Sequence, residues 1–144
     1  MINFLNFNEL EKVLIVAELS ANHNGSLSTA IKTICGAKKA GADAVKLQTY
    51  RPDTITIDSE GKDFIIKNNS IWDGQSYYKL YESAFTPWEW HEELFRVANE
   101  EGLLCFSSPF DKTAVDFLED LDNPIYKIAS FEITDTPLIH YIAS

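Results

Sequence analysis

The chain has 144 residues, one domain's length, with 45% apolar and 24% charged side chains, ordinary values for a globular protein. Its formal net charge of −10, from 12 basic and 22 acidic residues, excludes the basic face that a nucleic-acid partner needs. There is no run of about 18 apolar residues and no basic-then-apolar leader in MINFLNFNEL, and Cys35 and Cys105 are too few for a disulfide framework, so a cytoplasmic protein without a membrane partner is expected.

The first apolar run, VLIVAEL (13–19), reads as a buried strand, and polar ANHNGS follows it. An amphipathic stretch from Leu27 to Ala40 is closed by Gly41, as a helix is by a C′ glycine. DAVKLQTY (43–50) is the second strand. The segment from Arg51 to Phe85 then exceeds the usual loop of about 2–6 residues between strand and helix. Its aromatic cluster, Trp72, Tyr77, Tyr78 and Tyr81, suits a surface excursion packed on itself, a cover over a substrate, or both. Thr86 and Pro87 have the chemistry of an N-cap and a first helical residue, and that helix ends at Gly102. LLCFSS (103–108) is the third strand, Asp111 opens a helix ending near Leu121, and PIYKIAS (124–130) is the fourth strand. DTPLIHYIAS begins a fourth helix, capped by Asp135 or Thr136.

Apolar strands alternating with amphipathic helices predict parallel βαβ units. An open nucleotide-binding sheet would carry a glycine-rich loop after its first strand, and SANHNGS has a single glycine. The better match is an α/β fold: four βα units, the N-terminal half of a (β/α)8 barrel whose full length is about 250 residues. Active sites of such barrels lie at the C-terminal ends of the strands. Here those ends are polar: Glu18 and Ser20; Lys46 and Gln48; Ser107 and Ser108; Lys127, Ser130 and Glu132. Lys46 and Gln48 are two apart and share a face, opposite Val45 and Leu47.

A lysine inside an apolar strand is costly unless it is paired or binds an anion. One such lysine has a simple structural explanation, an ion pair with Glu18. Two, at equivalent places on the second and fourth strands, point to a site for carboxylate or phosphate, with serine hydroxyls as added donors. A Schiff-base lysine is the chemical alternative, and residue type alone does not separate the two. His91 and His140 read as surface or helix-packing residues. His23, in the loop after the first strand, suits either substrate orientation or a turn contact. No histidine has a partner at metal-ligand spacing.

AELSANHNGS, GADAVKLQTY, FSSPFD and PIYKIASFEITDTPLI, in this order and spacing, resemble the N-terminal barrel half of the N-acetylneuraminate (sialic acid) synthase family. YRPDTITIDS and SIWDGQSYYKLYESAFTPWEWH are most similar to its pseudaminic acid branch; the sialic and legionaminic branches are the neighbours. The resemblance implies a transferase that condenses phosphoenolpyruvate with a 2-acetamido sugar and releases phosphate. It implies that Lys46 and Lys127 bind phosphoenolpyruvate, helped by Ser108 and Ser130, with Glu132 near the phosphate end. Glu18 and Gln48 would face the sugar or the attacking water. A divalent metal, manganese or magnesium, acts in that family as a Lewis acid, and its ligands would lie beyond Ser144. The later strands, the C-terminal antifreeze-like domain and the homodimer that the family forms lie outside this sequence as well. The chain alone is therefore expected to be inactive, and a non-catalytic half-barrel acting by association is the remaining alternative.

Overall fold

The computed structural model describes residues 13–144; the opening MINFLNFNEL lies outside the described residues. Three parallel strands form one sheet in the order β1 (Val16–Glu18), β2 (Ala44–Thr49), β3 (Leu104–Pro109). The register sets Glu18 beside Lys46, and Gln48 beside Ser108. Helix α1 (Leu27–Lys39) connects the first two strands, and α4 (His91–Glu100) leads into the third. These two helices pack on each other and on one face of the sheet. Between them and the sheet lies the main core, built from Ile34, Val45, Leu47, Leu94, Ala98 and Cys105 among others. α5 (Lys112–Glu119) and α6 (Thr136–Ile142) continue the alternation. Among the described residues no helix is long and apolar enough to cross a membrane.

One device ends three of the helices. After α1, Gly41 takes φ +90° while its N–H donates to Lys38 O and that of Ala42 to Ala37 O. After α4, Gly102 takes φ +68°, with the same pair of bonds from Gly102 to Asn99 and from Leu103 to Ala98. Both are Schellman caps, which need a left-handed residue and so favour glycine. After α5 the position falls to Asp122 at φ +54°, bonded to Glu119 O, with Asn123 N–H bonded to Leu118 O. Asp tolerates that conformation better than most residues, which is why no glycine marks this turn. The starts are capped by side chains as well: Ser26 for α1, Asp111 for α5 and Asp135 for α6.

Two expectations about the elements change. The segment 124–130 joins the sheet through one parallel bridge, Tyr126 to Ser107, and is not a regular strand. Pro124 brings no N–H, and the Ser107 N–H that a neighbouring strand would use donates instead to Asn123 Oδ1 at 3.0 Å. The Lys127 N–H reaches Ser107 O only at 3.4 Å. Thr86, in turn, does not cap a helix. A 3-10 turn over Trp88–Trp90 precedes α4, and the buried Thr86 hydroxyl meets His23 Nε2 at 3.3 Å.

The excursion 51–85 has secondary structure of its own. It holds a short helix α2 (Pro52–Ile55), a 3-10 turn (Lys62–Phe64) and α3 (Tyr77–Ala84), capped by Ser76. Its outer loop is tied by Asp73, whose carboxylate accepts from the N–H groups of Asn68, Asn69 and Ser70. Those bonds hold the carboxyl below its usual range. α2 and α3 touch each other, and Ile55, Tyr81 and Phe85 pack on a second cluster made by Tyr50, Phe110 and Ala129. The excursion thus folds back over the C-terminal ends of the strands.

Candidate active site

Because side chains alternate along a strand, β2 has two chemical faces. Val45 and Leu47 point into the helix-side core. Lys46, Gln48 and, one step beyond the strand, Tyr50 share the other face and line a cleft of about 250 Å³. Glu18 from β1, Phe110 after β3, Lys127, Ala129 and Ser130 from the 124–130 segment, and Ile55 and Tyr81 from the excursion complete its wall with Phe131. The two lysines singled out in the sequence therefore open on one cavity, together with Glu18, Gln48 and Ser130.

Lys46 is buried at 4% exposure, and its ammonium lies 3.3 Å from Glu18 Oε1. The Glu18 side chain is itself 59% exposed, so the pair has one end in solvent. Lys127 is half-buried and forms no ion pair among the described residues. Its charge still acts on Glu132, in the 3-10 turn Ser130–Glu132, where it opposes a stronger effect of burial that raises the Glu132 carboxyl. Glu132 Oε2 and Ser108 Oγ are buried without a hydrogen-bond partner among the described residues. Buried polar atoms are almost always paired, so these two orphans are groups with hydrogen-bonding capacity left over. Ser108 sits next to Gln48 in register, on the cleft side of the sheet, though it does not line the cavity itself.

Ser107 departs from expectation, and the reason is the same alternation. It faces the helices, where its hydroxyl meets Thr49 Oγ1 at 2.7 Å. Thr49 in turn meets His91 Nε2 at 2.9 Å, and all three are fully buried. His91 is thus an interior residue, not a surface one. Burial pushes its pKa down to about 4, so the ring is neutral at pH 7. His23 takes the turn-contact reading: its Nδ1 accepts from the Gly25 N–H, Nε2 meets Thr86, and its ring stands edge-on to Trp90. Of the aromatic cluster in the excursion, only Tyr81 lines the cleft, while Tyr77 stacks on Tyr81 with ring centres 6.5 Å apart. Tyr50, Phe110 and Ile55 were not foreseen; for Tyr50 the signal was present, since it continues the two-residue step Lys46, Gln48.

Among the described residues no group of three or more His, Cys, Asp or Glu side chains is placed to hold a metal ion. The cleft carboxylate Glu18 is engaged with an ammonium, which makes a poor metal ligand set.

Comparison with known proteins decides the lineage. The model of the NeuB family matches residues 33–144. The chain belongs to the NeuB family. Among its NeuB relatives, the pseudaminic acid synthase of Campylobacter jejuni is 57% identical over 138 residues, which cover 96% of this chain and 40% of that protein. The pseudaminic acid synthase of Helicobacter pylori is 50% identical, over 93% of this chain and 39% of that protein. The crystal structure of the N-acetylneuraminic acid synthetase of Leptospira borgpetersenii superposes with a TM-score of 0.75 at 27% identity, covering 91% of this chain and 41% of that one. The chain thus spans about 40% of the length of the relatives it matches. Its parallel sheet and helices are the N-terminal part of a NeuB-type barrel.

Proposed function

We propose that this chain supplies the phosphoenolpyruvate-binding half of a nonulosonic acid synthase of the pseudaminic acid type. The observation that carries the reading is the convergence of Lys46 and Lys127, from separate βα units, on one cleft at the C-terminal ends of the strands. A compact ammonium pair suits a ligand with a carboxylate and a phosphate at opposite ends. Ser130 on the wall and Ser108 behind it would add hydroxyl donors, and Glu132 ends the 3-10 turn that Ser130 begins. Glu18 and Gln48, on adjoining strands, would face the sugar or the attacking water.

In the proposed reaction, carbon 3 of phosphoenolpyruvate bonds to the aldehyde carbon of an open-chain 2-acetamido sugar, whose oxygen gains a proton. Carbon 2 is left as an oxocarbenium. Water adds to it, losing a proton, to give a tetrahedral intermediate. The carbon–oxygen bond of that intermediate to phosphate then breaks, as the new hydroxyl gives its proton to the departing phosphate and becomes the ketone. The products are a nonulosonic acid and inorganic phosphate. In this reading Lys46 and Lys127 hold the anionic groups throughout, and Glu18, half in solvent, takes the proton from water. The sugar we assign is 2,4-diacetamido-2,4,6-trideoxy-L-altrose, on the similarity to the two pseudaminic acid synthases. N-acetylneuraminate and legionaminate synthesis are the alternatives within the family. A manganese or magnesium ion and a homodimer belong to the proposal for the whole enzyme, with the metal ligands outside this chain. A Schiff-base lysine is the second chemical reading: for Lys46 the ion pair with Glu18 counts against it, and for Lys127 the trapping experiment below separates the two.

The test uses a hybrid in which this chain replaces the matching N-terminal residues of the C. jejuni synthase. Incubated with phosphoenolpyruvate, sugar and manganese in oxygen-18 water, it should release phosphate free of label, since the phosphorus–oxygen bond stays intact. Labelled phosphate, or borohydride trapping of pyruvate on Lys46 or Lys127, would refute the mechanism.

A further inference from the structure

The cleft is charged at one end and mainly aromatic at the other, and β2 sets the gradient. Lys46, Gln48 and Tyr50 follow one another on its inner face, with Cα steps of roughly 6.6 Å. Around Tyr50 the wall becomes a collar. Phe110 stands edge-on to it at 5.4 Å, and Tyr81 stands edge-on from the other excursion helix at 5.8 Å. Ile55, the last residue of α2, packs against the same cluster. From the whole excursion, residues 51–85, only Ile55 and Tyr81 line the cleft, so that contribution brings no charged group to the cavity. Burial, the largest influence, raises the Tyr81 phenol, so it stays protonated and the collar is uncharged at neutral pH.

On the sugar-condensing reading, a reacting centre held between Lys46 and Lys127 leaves this uncharged collar to the far end of the sugar. We propose that Ile55 and Tyr81 are specificity-determining residues, forming an apolar wall that admits a sugar ending in a methyl group and disfavours one ending in a hydroxymethyl. The inference rests on the sugar-condensing reading above. Against Ile55 and the Tyr81 ring, a methyl keeps full contact, whereas a hydroxyl loses water and gains no partner from either side chain's carbon surface. Discrimination of this kind, one group deep in an apolar pocket, is on the order of tenfold to a hundredfold.

The test is the ratio of kcat/KM for the 2,4-diacetamido-6-deoxy sugar to that for N-acetylmannosamine, measured in the hybrid at saturating phosphoenolpyruvate. Tyr81→Asn and Ile55→Ser should each lower that ratio by about tenfold, chiefly by improving use of the 6-hydroxy sugar, with the KM for phosphoenolpyruvate changed little. Ile55 lies at the end of a four-residue helix and is only half-buried, so its variant guards against a folding defect in the Tyr81 variant. An unchanged ratio in Ile55→Ser, or equal losses for both sugars in both variants, would overturn the wall while leaving the synthase reading intact. A parent hybrid that condenses neither sugar would overturn the synthase reading itself, and the wall with it.

Discussion

The two faces of β2 show how one six-residue strand builds both the fold and the site. Its helix face carries Val45, Leu47 and Thr49, all at most 1% exposed. Two of these are hydrocarbon, and the third finds hydroxyl and imidazole partners in Ser107 and His91. Every polar atom on that side is matched, so the face contributes stability and offers nothing to a ligand. The cleft face carries Lys46, Gln48 and Tyr50, equally enclosed in part but left with charge and hydrogen-bonding capacity to spare. Burial is therefore a poor guide to role here: Lys46 at 4% and Leu47 at 1% exposure differ by one residue and by everything in chemistry. What distinguishes the faces is whether the polar groups are satisfied within the chain.

The contrast can be broken from either side, beginning with the cleft. Lys46→Ala and Lys127→Ala in the hybrid should each cost about 2–5 kcal/mol in kcat/KM for phosphoenolpyruvate, by loss of a charge-assisted contact in a partly desolvated site. Lys→Arg should not restore either, because a planar fork does not replace a compact charge at a packed strand end. Near-normal steady-state constants in both alanine variants would contradict the division of faces. On the helix side, Leu47→Ala should instead lower the unfolding free energy by about 2–5 kcal/mol through the cavity it leaves. A denaturant titration would show this, and the KM for phosphoenolpyruvate of the folded fraction should be unaltered.

The buried His91 sharpens the comparison by pH. Its pKa is about 4 in the fold, against about 6.5 when unfolded. The unfolded chain therefore binds the proton first, and stability should be full above pH 6.5 and fall as the pH drops toward 4. The decrement from this residue is on the order of 3 kcal/mol. Urea midpoints across that window should fall in the parent and flatten in His91→Gln; identical slopes would show that His91 does not carry the dependence. The smallest effect belongs to the outer aromatics. Trp72→Ala should leave the sugar preference of the hybrid within about a factor of two, the scale of a surface change. A tenfold shift in the competition assay would restore a direct role for the outer loop.

Much of this was legible in the sequence, and the failures have a common cause. The βα order, the Gly41 and Gly102 stops and the Lys46–Gln48 face follow from local periodicity and turn chemistry, which a sequence carries directly. Ser107 was placed with Ser108 because both hydroxyls end the strand, yet neighbours on a strand point to opposite sides. Thr86 has the chemistry of a cap, but a long-range partner, His23, takes its hydroxyl. The 124–130 segment has a strand's composition, and only the fold reveals that Asn123 takes the Ser107 N–H. Which aromatics of the excursion reach the cleft depended on how α2 and α3 return to the sheet, and no local pattern encodes that. The lineage itself was readable because four motifs keep their order and spacing.

The most direct measurement of the central claim is a crystal structure of the hybrid with phosphoenolpyruvate. The account predicts carboxylate and phosphate oxygens within about 3 Å of Lys46 Nζ and Lys127 Nζ, with the Ser108 or Ser130 hydroxyl on the same ligand. Phosphoenolpyruvate bound elsewhere, with Lys46 still paired to Glu18 alone, would contradict it.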